Sequence, residues 1–489
     1  MKRTEKFIRK FGGENQSILR EYFYRTQNYY QGNRDAARFL QDEQKCISVL
    51  LSQGDNLAFL TERLSFRADN DFFRKNDRAY ALDTAAKLYP LVMGRYRASV
   101  FRLSAWLKED VVPEILQCAL NRVRPRFPLF SVVVKKGLFW HYLDGFNGHC
   151  RVMQDKDLPC YQIRLSGLRS VPFRVVYYKN RISVEFFHAL TDGTGGLIFL
   201  KSLLGEYFRI CGVRFLYSED VLNVTDPSEP EELVDGFEKI VSTLSPGGMS
   251  ERKAVALNGK ISFRRARAYH FVFEADKLRS AAASKSVTVT ALLAGYILLA
   301  TRDCSQGDGC IRIQIPVNVR KFYGLKTLSN CAMFTCVEMD RQKVTNDLEV
   351  FSEADRQIRE GAGKENTERS VVKAVKLVKA LHYVPLMFKR PAARLYDTAI
   401  TNHAFTHTLS NLGMVKLPKG ISEKVEMLDF VIGSPVKNSG YLSMITFGGK
   451  AVLSYTTSNQ NKEFEEKLLS YTEADGLTAR VFGGQNYAD

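Results

Sequence analysis

Long apolar runs are scarce in this 489-residue sequence. No window reaches the roughly 18–20 apolar residues that a membrane helix needs. The nearest, Val287–Ala300, is shorter and is followed by Arg302 and Asp303, so it predicts a buried core helix with Ser286 as its cap. The basic start MKRTEKFIRKFGG lacks a following apolar segment, which argues against a secretory signal. We therefore expect a cytoplasmic protein.

Several sequence motifs are also missing. The nine cysteines are scattered and odd in number, and no C-x-x-C pair occurs, so zinc-finger and thioredoxin spacings are excluded. Free thiols in a reducing compartment are the expectation. No G-x-G-x-x-G or Walker loop is present, so nucleotide hydrolysis and nicotinamide chemistry have no support.

Acidic residues are outnumbered, with 53 Asp and Glu against 70 Lys and Arg, which gives a formal net charge of +17. That charge favours anionic partners. Nucleic acid is disfavoured, because no recognised nucleic-acid module accompanies the charge. A hydrophobic fraction of 45% and a charged fraction of 25% are ordinary for globular proteins and exclude disorder.

The chain divides into four parts by pattern. Residues 1–77 are polar and predict helices or a partly disordered extension, and strands alternate with helices after them. Proline and glycine clusters at 217–265 predict a surface linker. We expect two α/β lobes, 78–216 and 266–489. The predicted strands are Ser99–Leu107, Phe130–Val134, Phe173–Tyr178, Ile182–Phe187, Tyr269–Phe273, Cys310–Ile315, Met333–Glu338, Thr406–Leu409 and Ala451–Thr456, and the predicted helices are Pro113–Pro125, Leu197–Ile210, Leu348–Glu360 and Arg369–Tyr383.

One motif carries chemistry. The strand Ile182–Phe187 runs into His188, with Asp192 and Gly193 completing an H-x-x-x-D-G pattern. The strand would hold the imidazole on a rigid element, and Gly193 would permit a sharp turn. A neutral imidazole can take a proton from a hydroxyl, amine or thiol near pH 7. For the motif alone, a buried histidine satisfied by a carbonyl is an equal alternative.

The stretch FFHALTDGTGG around this motif resembles the active-site signature of the chloramphenicol-acetyltransferase-like superfamily of CoA-dependent acyltransferases, which includes condensation domains and alcohol acetyltransferases. Three further stretches resemble the same superfamily: Ala81–Met93 with the segment that follows it, Ile313–Gly324 and Thr408–Pro418. The resemblance covers the chain from about Tyr80 onward. It implies an α/β, two-lobed fold in which each lobe is a mixed sheet with helices, and an active-site tunnel between the lobes.

The resemblance also implies roles for residues. His188 would be the general base, Asp192 would be structural with Arg320 as its partner, and Gly193 would place a backbone N–H near the oxyanion. Ser410 and Asn411 could line the tunnel or form an ordinary turn. The reaction would transfer an acyl group, acetyl first of all, from acyl-CoA to a hydroxyl. Acyl-CoA would be a co-substrate, with no permanently bound cofactor.

Two alternatives stay open: an amide-forming, condensation-type enzyme that uses an amine, and a catalytically silent member that binds a ligand or carrier. His403 and His407 are four apart, but a third ligand is missing, so no metal site is expected. The basic run Lys373, Lys376, Lys379, Lys389 and Arg390 is read first as a solvated helix face. It could also bind CoA phosphates or make weak contact with an anionic membrane surface. A monomer is expected.

Overall fold

The structure is a computed structural model. It describes residues 2–65, 78–94, 97–165, 170–218, 220–240, 243–248, 252–263, 266–345, 347–398 and 402–484. Among these residues no single helix is long and apolar enough to cross a membrane, although Ala275–Ser284 and Val289–Asp303 pass that test as a pair bent by 80°. All nine cysteines are unpaired, as expected from their spacing.

The N-terminal segment is helical as far as it is described. It forms α1 (Lys2–Ile8), α2 (Gly13–Tyr29), α3 (Ala36–Ser52) and α4 (Leu57–Arg63). The apolar faces of these helices lie in the same core as the first lobe. Buried Arg122 of that lobe donates to Glu43 Oε2 (2.8 Å) and to the Leu64 carbonyl (2.9 Å). The predicted boundary near 76–78 falls largely outside the described residues.

The first lobe contains a five-stranded and a three-stranded sheet. The larger sheet has the order β12-β2-β7-β6-β5, in which β12 (Val425–Ile432) comes from late in the chain, and the smaller has the order β1-β4-β3. The predicted hairpin is confirmed, because β6 and β7 pair antiparallel across a turn in which Lys179 has φ +47°. The elements are β1 (Ala79–Ala81), α5 (Tyr89–Val92), β2 (Val100–Leu107), α6 (Pro113–Arg126), β3 (Val132–Lys136), β4 (His141–Gly145), β5 (Met153–Gln154), β6 (Phe173–Tyr178), β7 (Arg181–Phe187) and α7 (Gly193–Ile210).

The second lobe is built on a seven-stranded mixed sheet of order β10-β9-β11-β13-β14-β8-β15. Its elements are β8 (Arg267–Glu274), α8 (Ala275–Ser284), α9 (Val289–Asp303), β9 (Cys310–Asn318), α10 (Arg320–Tyr323), β10 (Ala332–Asp340), α11 (Leu348–Gly361), α12 (Lys364–Ala380), α13 (Leu386–Tyr396), α14 (Asn402–Ala404), β11 (His407–Met414), α15 (Lys419–Ser422), β12 (Val425–Ile432), β13 (Gly440–Phe447), β14 (Lys450–Thr457), α16 (Glu463–Ala474) and β15 (Arg480–Gly484).

The core helix α9 forms as predicted, but its predicted cap is wrong. Thr288, not Ser286, is the N-cap, and its Oγ1 accepts from the Ala291 N–H at 3.2 Å. Ser286 has φ +58° and lies in the turn before the helix. A threonine with extended backbone can reach the free N–H groups of the first helical turn, whereas a residue two positions earlier cannot.

The predicted second lobe, 266–489, contains a strand that belongs to the first sheet. Strand β12 pairs antiparallel with β2 along Val425–Ile432. Buried Asp429 on β12 accepts from Ser104 Oγ (2.8 Å) and from Trp106 Nε1 (2.6 Å) on β2. Because strand exchange between sheets leaves no local signal, a division of the sequence at one point could not find it.

The predicted surface linker, 217–265, is partly buried where it is described. Phe237 packs with Val319 and Cys331 in a small apolar cluster. Glu232 is buried and accepts two hydrogen bonds from Arg126, at 2.6 and 2.7 Å. The segment is therefore not only a surface linker, because Glu232 forms a buried ion pair with the first lobe.

Candidate active site

His188 is held at the end of β7 by its backbone and by two rings. Its N–H donates to the Ser99 carbonyl at 2.8 Å. The imidazole stacks on Tyr89 at 4.5 Å between centroids and meets the edge of Phe101 at 5.2 Å. Tyr89 lies on α5 and Phe101 on β2, so elements from the first lobe fix the ring on two sides. The side chain remains partly exposed, toward a cavity.

A hydrogen-bonded chain fixes the proton on one nitrogen of His188. The Nδ1 atom lies 3.0 Å from Asn330 Oδ1. Asn330 in turn donates from its side-chain nitrogen (3.1 Å) and from its backbone N–H (3.0 Å) to Oδ2 of Asp83. Because the amide nitrogen of Asn330 faces the same Asp83 oxygen that accepts from the Asn330 backbone N–H, the amide oxygen faces the imidazole and accepts from Nδ1–H. The lone pair of neutral His188 is therefore on Nε2.

Burial shifts the pKa values of the two ionisable groups in this hydrogen-bonded series, His188 and Asp83. Burial lowers the pKa of His188 below its ordinary value, and the negative charge of Asp192 and the bond to Asn330 only partly oppose that shift. The imidazole is therefore neutral near pH 7. Burial also raises the pKa of Asp83 to about 7, against the hydrogen bonds from Ala86 and Asn330 that lower it.

Asp192 and Arg320 meet, with 2.7 Å between Asp192 Oδ2 and Arg320 Nη1. The same Oδ2 accepts from the Cys331 N–H at 2.8 Å, and Oδ1 caps α7 by accepting from the Thr194 and Gly195 N–H groups at 3.1 and 3.2 Å. Burial alone would raise the pKa of Asp192, but the Arg320 guanidinium and these N–H groups bring it below its usual value. The pair thus ties the first lobe to residues 318–331 of the second, next to Asn330.

Gly193 does not make the predicted sharp turn. It is the first residue of α7, and its φ lies outside the left-handed region. A Cβ there would lie 2.8 Å from Cδ2 of Leu412, the end of a flexible side chain. The tighter position is Gly195, where a Cβ would lie 2.2 Å from Thr191 Oγ1 and 2.4 Å from the Leu328 carbonyl oxygen. Close approach of the second lobe to α7 is the stronger reason for glycine in this stretch.

A cavity of about 1080 Å³ adjoins His188. Both lobes contribute to its walls, because Tyr89 and Val100 of the first lobe line it together with Gln314 and Thr408 of the second. Further lining residues come from α12, α13 and the turn between them: Lys373, Leu377, Leu381, Val384, Phe388, Lys389, Ala392, Ala393 and Tyr396. A volume of this size accommodates a substrate of several hundred daltons.

Ser410 and Asn411 are not among the residues that line this cavity. Ser410 is buried within β11, and Asn411 donates to the Thr290 hydroxyl at 3.1 Å and accepts from the Gly413 N–H at 2.8 Å. These contacts hold a turn at the end of the strand. A tunnel-lining role for the two residues stays a prediction.

The two histidines considered as metal ligands lie in different surroundings. His407 is buried in β11, where Nε2 lies 3.0 Å from Thr301 Oγ1 and burial lowers its pKa to about 3. His403 is exposed in the short helix α14. Within the described ranges no group of three or more His, Cys, Asp or Glu could hold a metal ion.

Comparison with solved structures places this geometry in a known fold. The chain is similar to F. sporotrichioides TRI101 complexed with coenzyme A and T-2 (TM-score 0.56, 13% identity, 82% of this chain and 99% of that chain). It is also similar to TRI3 trichothecene 15-O-acetyltransferase from Fusarium sporotrichioides (TM-score 0.51, 12%, 81% and 95%) and to the nonribosomal peptide synthetase FmoA3 in its AMPPNP-bound form (TM-score 0.52, 14%, 82% and 42%).

The chain therefore shares the fold of these solved structures, a two-lobed α/β fold of the kind that the sequence resemblance implied. The sequence itself matches no protein-family model and no curated protein. At 12–14% identity these similarities establish the fold, and the chemistry must be argued from the residues.

Sequence reasoning missed three residues of the site. Asp83 and Tyr89 lie in Ala81–Met93, a stretch that resembles the superfamily, but nothing in their spacing points to His188. Asn330 lies in the irregular segment between α10 and β10 and belongs to no motif. Only the packing of the two lobes brings it to the imidazole.

Proposed function

We propose that this protein is an acyltransferase that moves an acyl group from acyl-CoA to a hydroxyl of an acceptor molecule. The observation that carries the proposal is a neutral histidine beside a large cavity, with Nδ1 bonded to Asn330 and Nε2 left as the base. The fold supports it, since TRI101 structures of this fold were determined with coenzyme A and with T-2 or deoxynivalenol.

The reaction follows from the position of His188. Its Nε2 takes the proton of the acceptor O–H as the oxygen attacks the thioester carbonyl carbon. The C–S bond of the tetrahedral intermediate then breaks, the ester leaves, and the imidazolium returns the proton to the CoA thiolate. No covalent enzyme intermediate is required, and acyl-CoA, in the first instance acetyl-CoA, is consumed as a co-substrate.

The other site residues act around this step. Asn330 and Asp83 are positioning residues, which keep the proton on Nδ1. Asp192 and Arg320 hold the second lobe against the start of α7. We assign to Gly193 a backbone N–H that stabilises the oxyanion, because the N-terminus of a long helix favours developing negative charge.

The test is release of free thiol from acetyl-CoA by the full chain, with separate pools of alcohols and amines. Wild type, His188→Ala and the exposed-histidine control His403→Ala are assayed together, and circular dichroism checks folding. We expect alcohol-dependent release by wild type and by the control, and a loss of about 10²- to 10⁴-fold in His188→Ala. Full activity of folded His188→Ala would refute the base assignment.

The same assay, together with a measurement of acetyl-CoA binding, separates the alternatives. Release that depends on amines rather than alcohols would replace ester formation by amide formation with the same base. Binding of acetyl-CoA without turnover in either pool would indicate a catalytically silent protein. Each result names a different function for the same cavity.

A further inference from the structure

An unusually apolar surface flanks the cavity. Six large apolar side chains between 377 and 396 are exposed, among them Tyr383 (80%), Met387 (72%) and Leu395 (72%). Leu138 on the β3–β4 turn is 71% exposed. It lies beside these side chains, because its carbonyl accepts from the Leu386 N–H at 2.8 Å. We call this the α12–α13 surface; its apolar members are Leu138, Leu377, Tyr383, Met387, Phe388, Leu395 and Tyr396. Apolar side chains clustered in this way mark an interaction site.

The charged residues between Ser370 and Tyr396 are all cationic. From Ser370 to Tyr396 the chain contains six Lys and Arg residues and no Asp or Glu. Lys373, Lys376 and Lys379 are exposed on α12, and Arg394 is exposed on α13. Basic residues that border exposed aromatic and aliphatic side chains are the composition of helices that lie in the interface of an anionic bilayer.

The arrangement on α13 links this surface to the cavity. Met387, Pro391 and Leu395, at i, i+4 and i+8, form an exposed outer stripe that does not line the cavity. The next stripe, Phe388, Ala392 and Tyr396, is also exposed but does line the cavity. The helix therefore forms the rim of the cavity that adjoins His188.

We propose that the α12–α13 surface docks on an anionic lipid bilayer and that the acceptor is an apolar alcohol, which enters the cavity from the bilayer. The second half of this inference rests on the proposed function. Met387, Leu395 and Tyr383 would enter the interface while the lysines contact lipid phosphates. An apolar acceptor could then pass Phe388 and Tyr396 without crossing water.

A bilayer explains the surface better than an acidic protein or a second copy. The exposed apolar groups lie on two helices and two turns, an irregular arrangement that a fluid interface accepts without shape complementarity. A second copy of this chain would bring the same cations to face each other, with no acidic residue in this stretch to pair with them.

The docking test is sedimentation of the full chain with phosphatidylcholine vesicles, with and without phosphatidylglycerol. We expect binding only to the anionic vesicles, weakened by added salt. Lys376→Gln/Lys379→Gln should weaken binding about 25-fold, since each lysine contributes about fivefold. The control Lys416→Gln/Lys419→Gln removes two exposed lysines with the same spacing elsewhere and should bind like wild type.

The apolar contribution is tested separately with Met387→Ser/Leu395→Ser, which should weaken vesicle binding at least about tenfold. Absence of vesicle binding by wild type would overturn the proposal. An equal loss of vesicle binding in the Lys416/Lys419 control would also overturn it, because the net charge of the protein alone would then explain the binding. The proposal would also be overturned if wild type formed dimers that the Met387→Ser/Leu395→Ser substitutions dissociate. Binding to acidic proteins in preference to vesicles would overturn it as well, because the surface would then belong to another partner.

The acceptor half is tested by thiol release from acetyl-CoA with vesicle-borne dodecanol and with water-soluble butanol. Met387→Ser/Leu395→Ser should lose about tenfold with dodecanol and nothing with butanol, because neither residue lines the cavity. Equal rates for wild type and variant with dodecanol would refute delivery from the bilayer. Absence of release with any alcohol would refute the proposed function instead, and vesicle sedimentation would still decide the docking.

Discussion

Replacing Arg320 by Met should leave Asp192 as a buried carboxylate without a cation. Arg320 donates to Asp192 Oδ2 (2.7 Å), to the Thr327 carbonyl (2.8 Å) and to the Ser329 carbonyl. Asp192 is only 3% exposed. Removal of one partner of a buried pair costs about 3–5 kcal/mol of unfolding free energy, because the remaining charge has lost both water and its counter-ion.

A double-mutant cycle tests whether the destabilisation comes from an unpaired buried charge. Asp192→Asn alone leaves the Arg320 guanidinium buried and should cost a similar amount. The double variant Asp192→Asn/Arg320→Met contains neither charge, so it should cost less than either single variant, rather than the roughly 6–10 kcal/mol of an additive pair. The expected coupling energy is therefore at least about 3–5 kcal/mol.

The pH dependence of the free energy of unfolding gives a second, independent test. In wild type the pKa of Asp192 is lowered, so its stabilising contribution is present above the unfolded pKa and is lost as pH falls through the folded pKa. In Arg320→Met, burial without the guanidinium should raise that pKa above the unfolded value, so the penalty is relieved as pH falls. The difference between the two proteins should therefore shrink from pH 7 toward about pH 4.

The assay is urea unfolding, followed by circular dichroism and by fluorescence of the two tryptophans. Both lie in the first lobe: Trp106 on β2 and Trp140 immediately before β4. Coincident transitions justify a single free energy of unfolding. Additive costs in the cycle, or a difference that does not change with pH, would refute the buried-pair explanation.

Three further predictions concern the site. For wild type, kcat/KM for thiol release should rise with pH through an apparent pKa below 6.5, since His188 must be neutral and its pKa is lowered; a rising limb centred above pH 7 contradicts this. Asn330→Ala should lower kcat about 2- to 13-fold with little change in KM, because it removes one hydrogen bond to Nδ1 of His188. An unchanged kcat would show that Asn330 does not position the imidazole. In thermal melts Gly195→Ala should destabilise by about 1–3 kcal/mol or more, and Gly193→Ala by less, because a Cβ at 195 meets the backbone of Leu328 and one at 193 meets a mobile methyl group. The opposite order would contradict that packing.

The local sequence determined much of the secondary structure and one half of the site. Alternation and turn residues predicted the β6–β7 hairpin, and helical spacing predicted α6 and α9, because these patterns report burial on one face of a single element. The H-x-x-x-D-G pattern predicted where His188 and Asp192 lie, since both sit within six residues of the end of one strand. The resemblance supplied Arg320, which is 128 residues away from Asp192.

Only the tertiary structure decided how the lobes meet. Strand β12 crosses to the first sheet, Glu232 in the linker pairs with Arg126, and Asn330 reaches His188 across 142 residues of sequence. Each of these depends on pairing between distant segments, and neither hydrophobic periodicity nor turn chemistry records a distant partner. The tautomer of the proposed base, and the apolar rim beside its cavity, follow from that long-range packing because they require residues that the sequence keeps far apart.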